Sequence, residues 1–218
     1  MLSIVSGTYN RLSILPQLVD NTVEAYENLE LILLEGGSGD GSVDYIKKLK
    51  HPRIKLIEIG KRSAWPSFMN IGIRHASYDW IVQWNDDVIL RNSWEEVIKV
   101  LDDHKAYAFS WNRCGDPGNC LAMDKTTLNF GIIHRSIFEE IGMYDPSFRF
   151  YGGDTDLTSR INIFDYPFKL CPEIWVEETV PPMNTDTYTG QDDSIVFANR
   201  NLYKQGIIPD RIPKLEKK

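Results

Sequence analysis

The sequence lacks the features that mark several broad classes of protein. It has only three cysteines, an odd number without the spacing of a zinc site, and this favours reduced thiols over a disulfide framework. No apolar run approaches about 18 residues, so there is no sign of a membrane-spanning helix. Positive charge is also scarce. The formal net charge is -7, which argues against a protein that coats nucleic acid.

Two familiar phosphate-binding motifs are missing as well. The run Glu35–Gly41 is rich in glycine, which allows a close backbone approach to a ligand. It lacks the Gly-Lys-Ser/Thr ending of a P-loop, and its glycine spacing does not match the dinucleotide fingerprint. We therefore assign this run to neither motif.

The two ends of the chain bear on its location in the cell. Strand-like sequence starts at Leu2, which leaves no room for a signal peptide, so we expect a cytoplasmic protein with reduced thiols. A disulfide between Cys114 and Cys120 is the alternative. Residues 206–218 are rich in Pro and Lys and are expected to form a solvated C-terminal tail. Contact of this tail with an anionic membrane, which would make the protein peripheral to that membrane, is the alternative there.

Strand and helix signals alternate through the first half of the chain. Apolar runs typical of buried strands lie at residues 2–6, 29–34, 54–59 and 80–84, and helical spacing of apolar residues separates them. This order predicts an α/β fold with a mostly parallel central sheet and helices on both faces. Neither a repeat nor a linker interrupts the pattern, so we expect a single domain over residues 1–205.

The residues after the fourth predicted strand are the strongest indication of a ligand site. The run Trp84–Val88 places two adjacent carboxylates, Asp86 and Asp87, where a parallel sheet opens towards a ligand. Burying such charges costs several kcal/mol per ion unless a counter-charge compensates. Carboxylate oxygens suit Mg²⁺ or Mn²⁺, which in turn hold phosphates. A turn that only caps the strand, without any ligand, is the alternative interpretation.

Three further segments, at residues 2–11, 31–42 and 150–157, place glycine, polar or acidic residues at the ends of predicted elements. Together with the acidic run, and in this order and spacing, they resemble the family-two glycosyltransferases, which have the GT-A fold. The resemblance covers roughly residues 2–165. It implies metal-dependent, inverting transfer of a sugar from a nucleotide-diphosphate donor to a glycan, lipid-linked or other hydroxyl acceptor, with Mn²⁺ or Mg²⁺ as the cofactor.

The resemblance also implies which residues meet the donor. The turn Thr8-Tyr9-Asn10 would cradle the nucleoside, and Glu35 would contact the base or ribose. Independently of the resemblance, Lys61 and Arg62 follow the third predicted strand and could meet the diphosphate, although isolated basic residues in loops are usually solvated. Asn70 matches an Asn that is common in the family before the metal motif. Gly36 stands where the family more often has a second acid that contacts the base, so a UDP donor is not firmly implied.

The acidic run has its own place in this resemblance. Asn85 occupies the first acidic position of the family's metal motif, and it would lie on the donor side together with Asp86. Asp87 is expected to be the direct metal ligand and Asp86 the second. Water and donor phosphate would complete the coordination of the cation.

The last segment resembles the family's catalytic segment. Asp154 lies at the position of the general base, and Gly153 replaces the first acid of the family's pair. From residue types alone, Asp154 is as readily a helix N-cap. Trp111 and Tyr151, both predicted to lie in loops, are candidates for stacking on an acceptor sugar. Asp156 is a third acceptor-side candidate and the next candidate for the base.

Two rival functions stay open at this point. A nucleotidyltransferase shares a related α/β layout, but it usually has a basic glycine-rich loop after the first strand, unlike Ser6–Asn10. A non-catalytic nucleotide- or carbohydrate-binding domain is supported by the missing acids at Gly36 and Gly153. We expect no nucleic-acid partner and no membrane span. The sequence identifies neither the donor sugar, nor the acceptor, nor the oligomeric state.

Overall fold

The computed structural model describes six stretches of the chain, at residues 1–112, 120–121, 128–149, 151–166, 168–180 and 191–217. Cys114, and with it the alternative disulfide, lies outside these stretches. Cys171 is a free and buried thiol. Among the helices of the described stretches, none combines the length and hydropathy that crossing a membrane requires.

Four strands from the first half of the chain form the parallel part of the sheet. They are β1 (Leu2–Thr8), β2 (Leu29–Glu35), β3 (Ile54–Glu58) and β4 (Trp80–Gln83). β1 lies between β2 and β4, parallel to both, and β3 continues the sheet beyond β2. Every residue of β2 is buried, as expected for a strand that is covered on both faces. The four strands confirm the sequence prediction for this half.

The second half of the chain adds strands in a different manner. They are β5 (Val88–Leu90), β6 (Ala106–Asn112), β7 (Cys120–Leu121), β8 (Gly131–His134) and β9 (Phe168–Glu178). β8 runs antiparallel to both β4 and β6, while β9 is parallel to β6 and antiparallel to β5. The sheet is therefore mixed, in the order β3-β2-β1-β4-β8-β6-β9-β5 with β7 beside β6.

Helices cover both faces of the sheet, as the sequence predicts. They are α1 (Leu15–Asn21), α2 (Ser42–Leu49), α3 (Trp65–His75), α4 (Trp94–Lys99), α5 (Arg135–Glu140), α6 (Gly153–Ile163) and α7 (Gln191–Tyr203). Ile4 of β1 shares a core with α1, α2 and α4. Its neighbour Val5 points to the other face and shares a core with α3, α5 and α6.

The C-terminal residues pack against the domain instead of forming the expected solvated tail. Ile212 and Leu215 are buried, and the Leu215 amide donates to the Phe138 carbonyl at 3.1 Å. Arg211 forms an ion pair with Asp145 at 2.9 Å. The two apolar side chains lie three positions apart, and burying them outweighs the polar composition of the segment around them.

Candidate functional site

The carboxyl ends of β1, β2 and β4 bring three of the four segments together. Thr8 ends β1 and Glu35 ends β2, and these two residues are paired across the parallel strands. The acid pair, Asp86 and Asp87, follows β4, which is the neighbour of β1 on its other side. This edge is where the sheet of an α/β protein usually meets its ligand.

The turn after β1 and the glycine-rich turn after β2 hold each other in place. The Asn10 amide donates to Ser38 Oγ at 2.8 Å, and the Gly39 amide donates to Asn10 Oδ1 at 2.9 Å. Asp40 Oδ2 accepts from the Leu12 amide at 2.9 Å. Asn10 has a φ of 53°, in the left-handed region that Asn tolerates better than most residues. Its side chain thus braces the two turns, and a donor contact through it stays a prediction.

Two residues that were predicted to meet the donor form hydrogen bonds with other parts of the protein. Glu35 is 2% exposed, and its carboxylate accepts from the amides of Gly37 at 2.9 Å and Ser38 at 2.6 Å. The Asn70 side chain donates to the Tyr144 carbonyl at 2.8 Å and accepts from the Tyr144 amide at 2.9 Å. Both side chains therefore have structural roles, and their predicted contacts with the donor stay predictions. Sequence alone does not show that their polar atoms are already satisfied.

Tyr9, Arg62 and Gly36 lie together at the outer side of the edge. Tyr9 is exposed, and the guanidinium carbon of Arg62 lies 5.8 Å from the centre of its ring, within the range of a cation–π contact. A Cβ atom added at Gly36 would lie 3.4 Å from Tyr9 Cδ2 and 3.5 Å from Arg62 Cα. The structure thus places these two predicted donor residues around the position where the resemblance leads us to expect an acid.

The acid pair forms a turn between β4 and β5. The Asp87 carbonyl accepts from the Thr179 amide at 2.7 Å and from its hydroxyl at 3.0 Å, which fixes the turn to the end of β9. The side chains of Asp86 and Asp87 are 11% and 24% exposed. Burial raises the pKa of Asp86 to about 6, and it also raises the pKa of Asp87. Asn85, just before the pair, is half-buried.

Arg11 faces the acid pair, although the sequence analysis did not single it out. Its Nε lies 4.0 Å from Asp86 Oδ1, and its Nη2 lies 3.9 Å from Asp87 Oδ2. This positive charge lowers the pKa of both carboxyls, against the larger effect of burial. The Thr8 hydroxyl also lowers the Asp86 pKa. This hydroxyl is buried, and its contact with Asp86 does not have the geometry of a regular hydrogen bond within the described chain. The signal for Arg11 was its place in the turn after β1.

The acid pair fits a divalent cation that brings further ligands with it. The described stretches contain no group of three or more His, Cys, Asp or Glu side chains that could hold a metal ion. Two buried carboxylates with raised pKa values are nevertheless a hard oxygen donor set in need of positive charge. Mg²⁺ and related ions are commonly bound by one or two carboxylates, with substrate phosphate and water in the other positions.

Asp154 lies in the first turn of α6 and is not the helix cap. The N-cap is Gly152, with a φ of 97°, so the interpretation of Asp154 as N-cap is wrong. Its Oδ1 accepts from the Thr155 amide at 2.8 Å. Burial raises the pKa of Asp154, yet the residue keeps some exposure. A carboxylate surrounded by protein but still reachable is suited to accept a proton.

Asn129 holds the other oxygen of Asp154. Its amide fits its surroundings with the nitrogen donating to Asp154 Oδ2 at 2.6 Å and the oxygen accepting from Trp111 Nε1 at 3.2 Å. The Gln83 side chain, at the end of β4, donates to the backbone carbonyl of Asn129 at 2.6 Å and accepts from the Tyr144 hydroxyl. A chain of hydrogen bonds thus runs from the strand before the acid pair to Asp154. No sequence signal pointed to Asn129.

Two of the three acceptor candidates are located otherwise than predicted. Trp111 lies on β6, not in a loop, is 9% exposed, and packs edge-on against Phe130 with ring centroids 5.8 Å apart. It belongs to the core because its strand lies inside the sheet, between β8 and β9. Tyr151 is 45% exposed and stays an acceptor candidate.

Asp156 is a structural residue, which corrects its prediction as an acceptor residue or alternative base. It is fully buried and forms an ion pair with Arg160 Nε at 3.3 Å. Its carboxylate also accepts from Asn199 Nδ2 and from the Tyr203 hydroxyl, both at 2.8 Å. An acceptor cannot reach a group that is enclosed in this way, and these partners come from α7, far along the chain.

Comparison with solved structures identifies the fold. A mannosyltransferase, PcManGT, from Pyrobaculum calidifontis, solved in complex with GDP-Man and Mn²⁺, superposes with a TM-score of 0.73 at 17% identity, covering 96% of this chain and 66% of that one. S. aureus TarS in complex with UDP-GlcNAc superposes with a TM-score of 0.68 at 12% identity, covering 93% and 72%. The chain therefore has the GT-A fold, as the resemblance implied.

Sequence comparison gives the family. Two proteins of Haemophilus influenzae (strain Rd), both named as uncharacterized glycosyltransferases, are 23% identical over 198 residues and 28% identical over 137 residues. These matches cover 81% and 58% of this chain, which spans 59% and 53% of the two relatives. The model of the family described as glycosyl transferase family 2 matches residues 3–154. This range holds the glycine-rich segment and the acidic run in full, and it reaches Asp154 of the last segment. The chain therefore belongs to glycosyl transferase family 2.

Proposed function

We propose that the protein transfers a sugar from a nucleotide-diphosphate donor to an acceptor hydroxyl, with a divalent cation and with inversion at the anomeric carbon. The observation that carries this proposal is the hydrogen-bond chain from Gln83 through Asn129 to Asp154. It couples a reachable carboxylate to the strand that presents the acid pair. The GDP-Man and Mn²⁺ of one structural relative, and the UDP-GlcNAc of another, support the same ligand class.

The donor would lie along the carboxyl edge of β1, β2 and β4. Tyr9 and Arg62 offer an aromatic face and a cation beside Gly36, and the Thr8 hydroxyl is directed to the interior near the acid pair. Asp87 would hold the divalent cation, with Asp86 as its second ligand. When bound, such a cation supplies Lewis-acid stabilisation of the departing diphosphate.

Asp154 would act as the general base. As the acceptor oxygen forms its bond to the anomeric carbon, the bond from that carbon to the diphosphate oxygen breaks, and the hydroxyl proton passes to Asp154. Attack opposite the leaving group inverts the anomeric centre. Burial raises the Asp154 pKa towards the range of an efficient base, while Asn129 and Thr155 stabilise its ionised form by donating to it. A positioned base contributes ~10²–10⁴-fold to the rate.

Nucleotide release from several nucleotide sugars separates this proposal from its rivals. The purified protein is incubated with UDP-, GDP-, TDP- and CDP-sugars and Mn²⁺, and the products are resolved by chromatography. We expect a nucleoside diphosphate and a transferred or hydrolysed sugar, with the product lost in Asp154→Asn. Asp103→Asn, an exposed acid on another part of the surface, is the matched control.

The other outcomes point to the rival functions. Release of a nucleoside monophosphate or of pyrophosphate would indicate nucleotidyl chemistry. Binding of a nucleotide sugar without any turnover would indicate a binding domain of the same fold. Either result would contradict the proposed transfer.

A further inference from the structure

The Arg11 side chain lies beside the acid pair and is mostly buried. It is 22% exposed and lies 4.0 Å from Asp86 Oδ1 and 3.9 Å from Asp87 Oδ2. Both distances exceed hydrogen-bond length, and the guanidinium has no hydrogen bond to any other described residue. The N–H groups of the guanidinium therefore lie beside two carboxylates without donating a hydrogen bond to either.

Hydrogen bonds fix the backbone of Arg11, whereas its guanidinium has only the two longer ion-pair contacts with the acids. The amides of Ile14 and Leu15 donate to the Arg11 carbonyl at 3.0 and 3.1 Å, which ties the residue to the start of α1. The Arg11 amide donates to Ser42 Oγ at 3.3 Å, which ties it to the start of α2. A change of direction by the guanidinium would therefore involve the side chain and not the backbone.

We propose that Arg11 is a diphosphate-binding residue of the donor site, which balances the acid pair until the donor and a divalent cation arrive and then turns its N–H donors to the phosphates. The proposal rests on the proposed function and adds a residue to its donor site. A planar guanidinium is well suited to the task, because it binds two phosphate oxygens at once.

The charges give this arrangement a consequence that a structural arginine would lack. The acid pair and Arg11 together carry one net negative charge when both carboxylates are ionised. Arg11 therefore repels a divalent cation that binds alone, but it attracts a diphosphate that binds with the cation. Removing Arg11 should strengthen the first equilibrium and weaken the second.

Calorimetry with three related ligands tests whether Arg11 attracts the diphosphate. A nucleoside, its monophosphate and its diphosphate are titrated, at saturating Mn²⁺, into the wild type, Arg11→Gln, Arg11→Lys and Arg74→Gln. Arg74 is the matched control, since it is an exposed cation in the last turn of α3, which leads to the start of β4, away from the acid pair.

We expect Arg11→Gln to bind the diphosphate about 10–100-fold more weakly, the range for a lost hydrogen bond to a charged group, and the nucleoside unchanged. Arg11→Lys, which keeps the charge but not the fork, should lie between, and Arg74→Gln should match the wild type. Equal losses for nucleoside and diphosphate, or no loss for either, would overturn the proposal.

Binding of Mn²⁺ alone tests whether Arg11 repels a divalent cation that binds without a diphosphate. Free Mn²⁺ is followed by its electron paramagnetic resonance signal while the metal is titrated into each variant without nucleotide. Arg11→Gln should bind Mn²⁺ several-fold more tightly than the wild type, and Arg11→Lys should not. Unchanged or weaker binding in Arg11→Gln would refute the proposal. A wild type that binds neither Mn²⁺ nor any nucleoside diphosphate would refute the proposed function itself.

Discussion

Gly36 and Gly153 stand on the donor side and on the base side of the site, and the space around them differs. A Cβ atom at Gly36 would have its nearest neighbours at 3.4 Å, an ordinary contact, among Thr8 and Tyr9. A Cβ atom at Gly153 would lie 3.0 Å from Pro66 Cγ, where a rigid ring has to move. Neither glycine has a left-handed backbone, so packing and not strain separates them.

The two missing acids therefore differ in the packing around them. On the donor side, a Cβ atom at Gly36 would meet only ordinary contacts. On the base side, a Cβ atom would press on Pro66 at the start of α3, which would have to give by a few tenths of an ångström. There Asp154 is served by Asn129, a neutral donor, instead of by a neighbouring acid. We therefore expect a substitution to be tolerated better at Gly36 than at Gly153.

The largest effect is expected for a substitution at Asp154, which should lower turnover and leave binding unchanged. Asp154→Asn should lower turnover by ~10²–10⁴-fold, because the amide cannot accept the proton. Donor and metal binding should persist, and so should the melting temperature, since Gly152 and not Asp154 caps α6. Initial rates, calorimetry and thermal unfolding measure the three quantities. Near-normal turnover in the folded variant would show that Asp154 is not the base.

A substitution at Asp87 tests metal binding on the donor side. Asp87→Ala should abolish the Mn²⁺-dependent part of nucleoside diphosphate binding, because the metal loses its direct ligand. Folding should be little affected, since the contacts of this residue with Thr179 run through its backbone carbonyl. Calorimetry with and without EDTA checks the prediction. A folded variant with unchanged affinity would exclude Asp87 as the metal ligand.

Asp86 gives the donor side a pH dependence. Its pKa is raised from 3.8 to about 6 in the folded protein, so folding favours its protonated form. The stability that this gives is fully present below about pH 4 and is lost as the pH rises through about 6. Asp86→Asn should therefore gain about 2 kcal/mol on the wild type between pH 4 and pH 7.5, without metal. Urea unfolding at both pH values, with exposed Asp44→Asn as control, measures the gain. An equal difference at both pH values would contradict the raised pKa.

Paired glycine substitutions test the comparison directly. Gly153→Glu should destabilise the fold by about 1–3 kcal/mol, the usual cost of overpacking, and Gly153→Ala should show a smaller loss. Gly36→Ala should be neutral or slightly stabilising, because its Cβ meets only ordinary contacts. Urea unfolding of the three variants decides the point. Equal effects of alanine at both positions would remove the distinction between the two sides.

The smallest effect concerns the choice of donor base. We propose that the wild type is not tied to UDP, because Gly36 has no side chain to pair with a base edge. Gly36→Asp should shift the preference between bases by about tenfold, near the lower limit for one hydrogen bond to a charged group. Thermal shifts with UDP, GDP, TDP and CDP measure it. Gly39→Asp adds the same charge in the same turn, where a Cβ meets nothing within 4 Å, and serves as control. A strong, exclusive UDP response in the wild type would show that another residue reads the base.

Local pattern in the sequence was enough for half of the fold and for part of the site. Buried runs gave β1 to β4 in parallel order, and the rule that ligands meet the carboxyl ends of such strands located Thr8 and the acid pair at one edge. Alternating and apolar patterns, however, carry no strand direction. The antiparallel pairing of β8 with β4 and β6, which makes the sheet mixed, is therefore absent from the prediction.

The class of protein and the identity of its acids can be predicted from the sequence, because they depend on residue types at short spacing. Which polar side chains are free to meet a ligand depends on how distant segments pack together. Glu35, Asn70 and Asp156 are satisfied by internal partners, whereas Arg11 faces the acid pair with its donors unused. Contacts such as that of Gln83 with Asn129, 46 residues apart, arise when distant segments pack, and no local spacing encodes them.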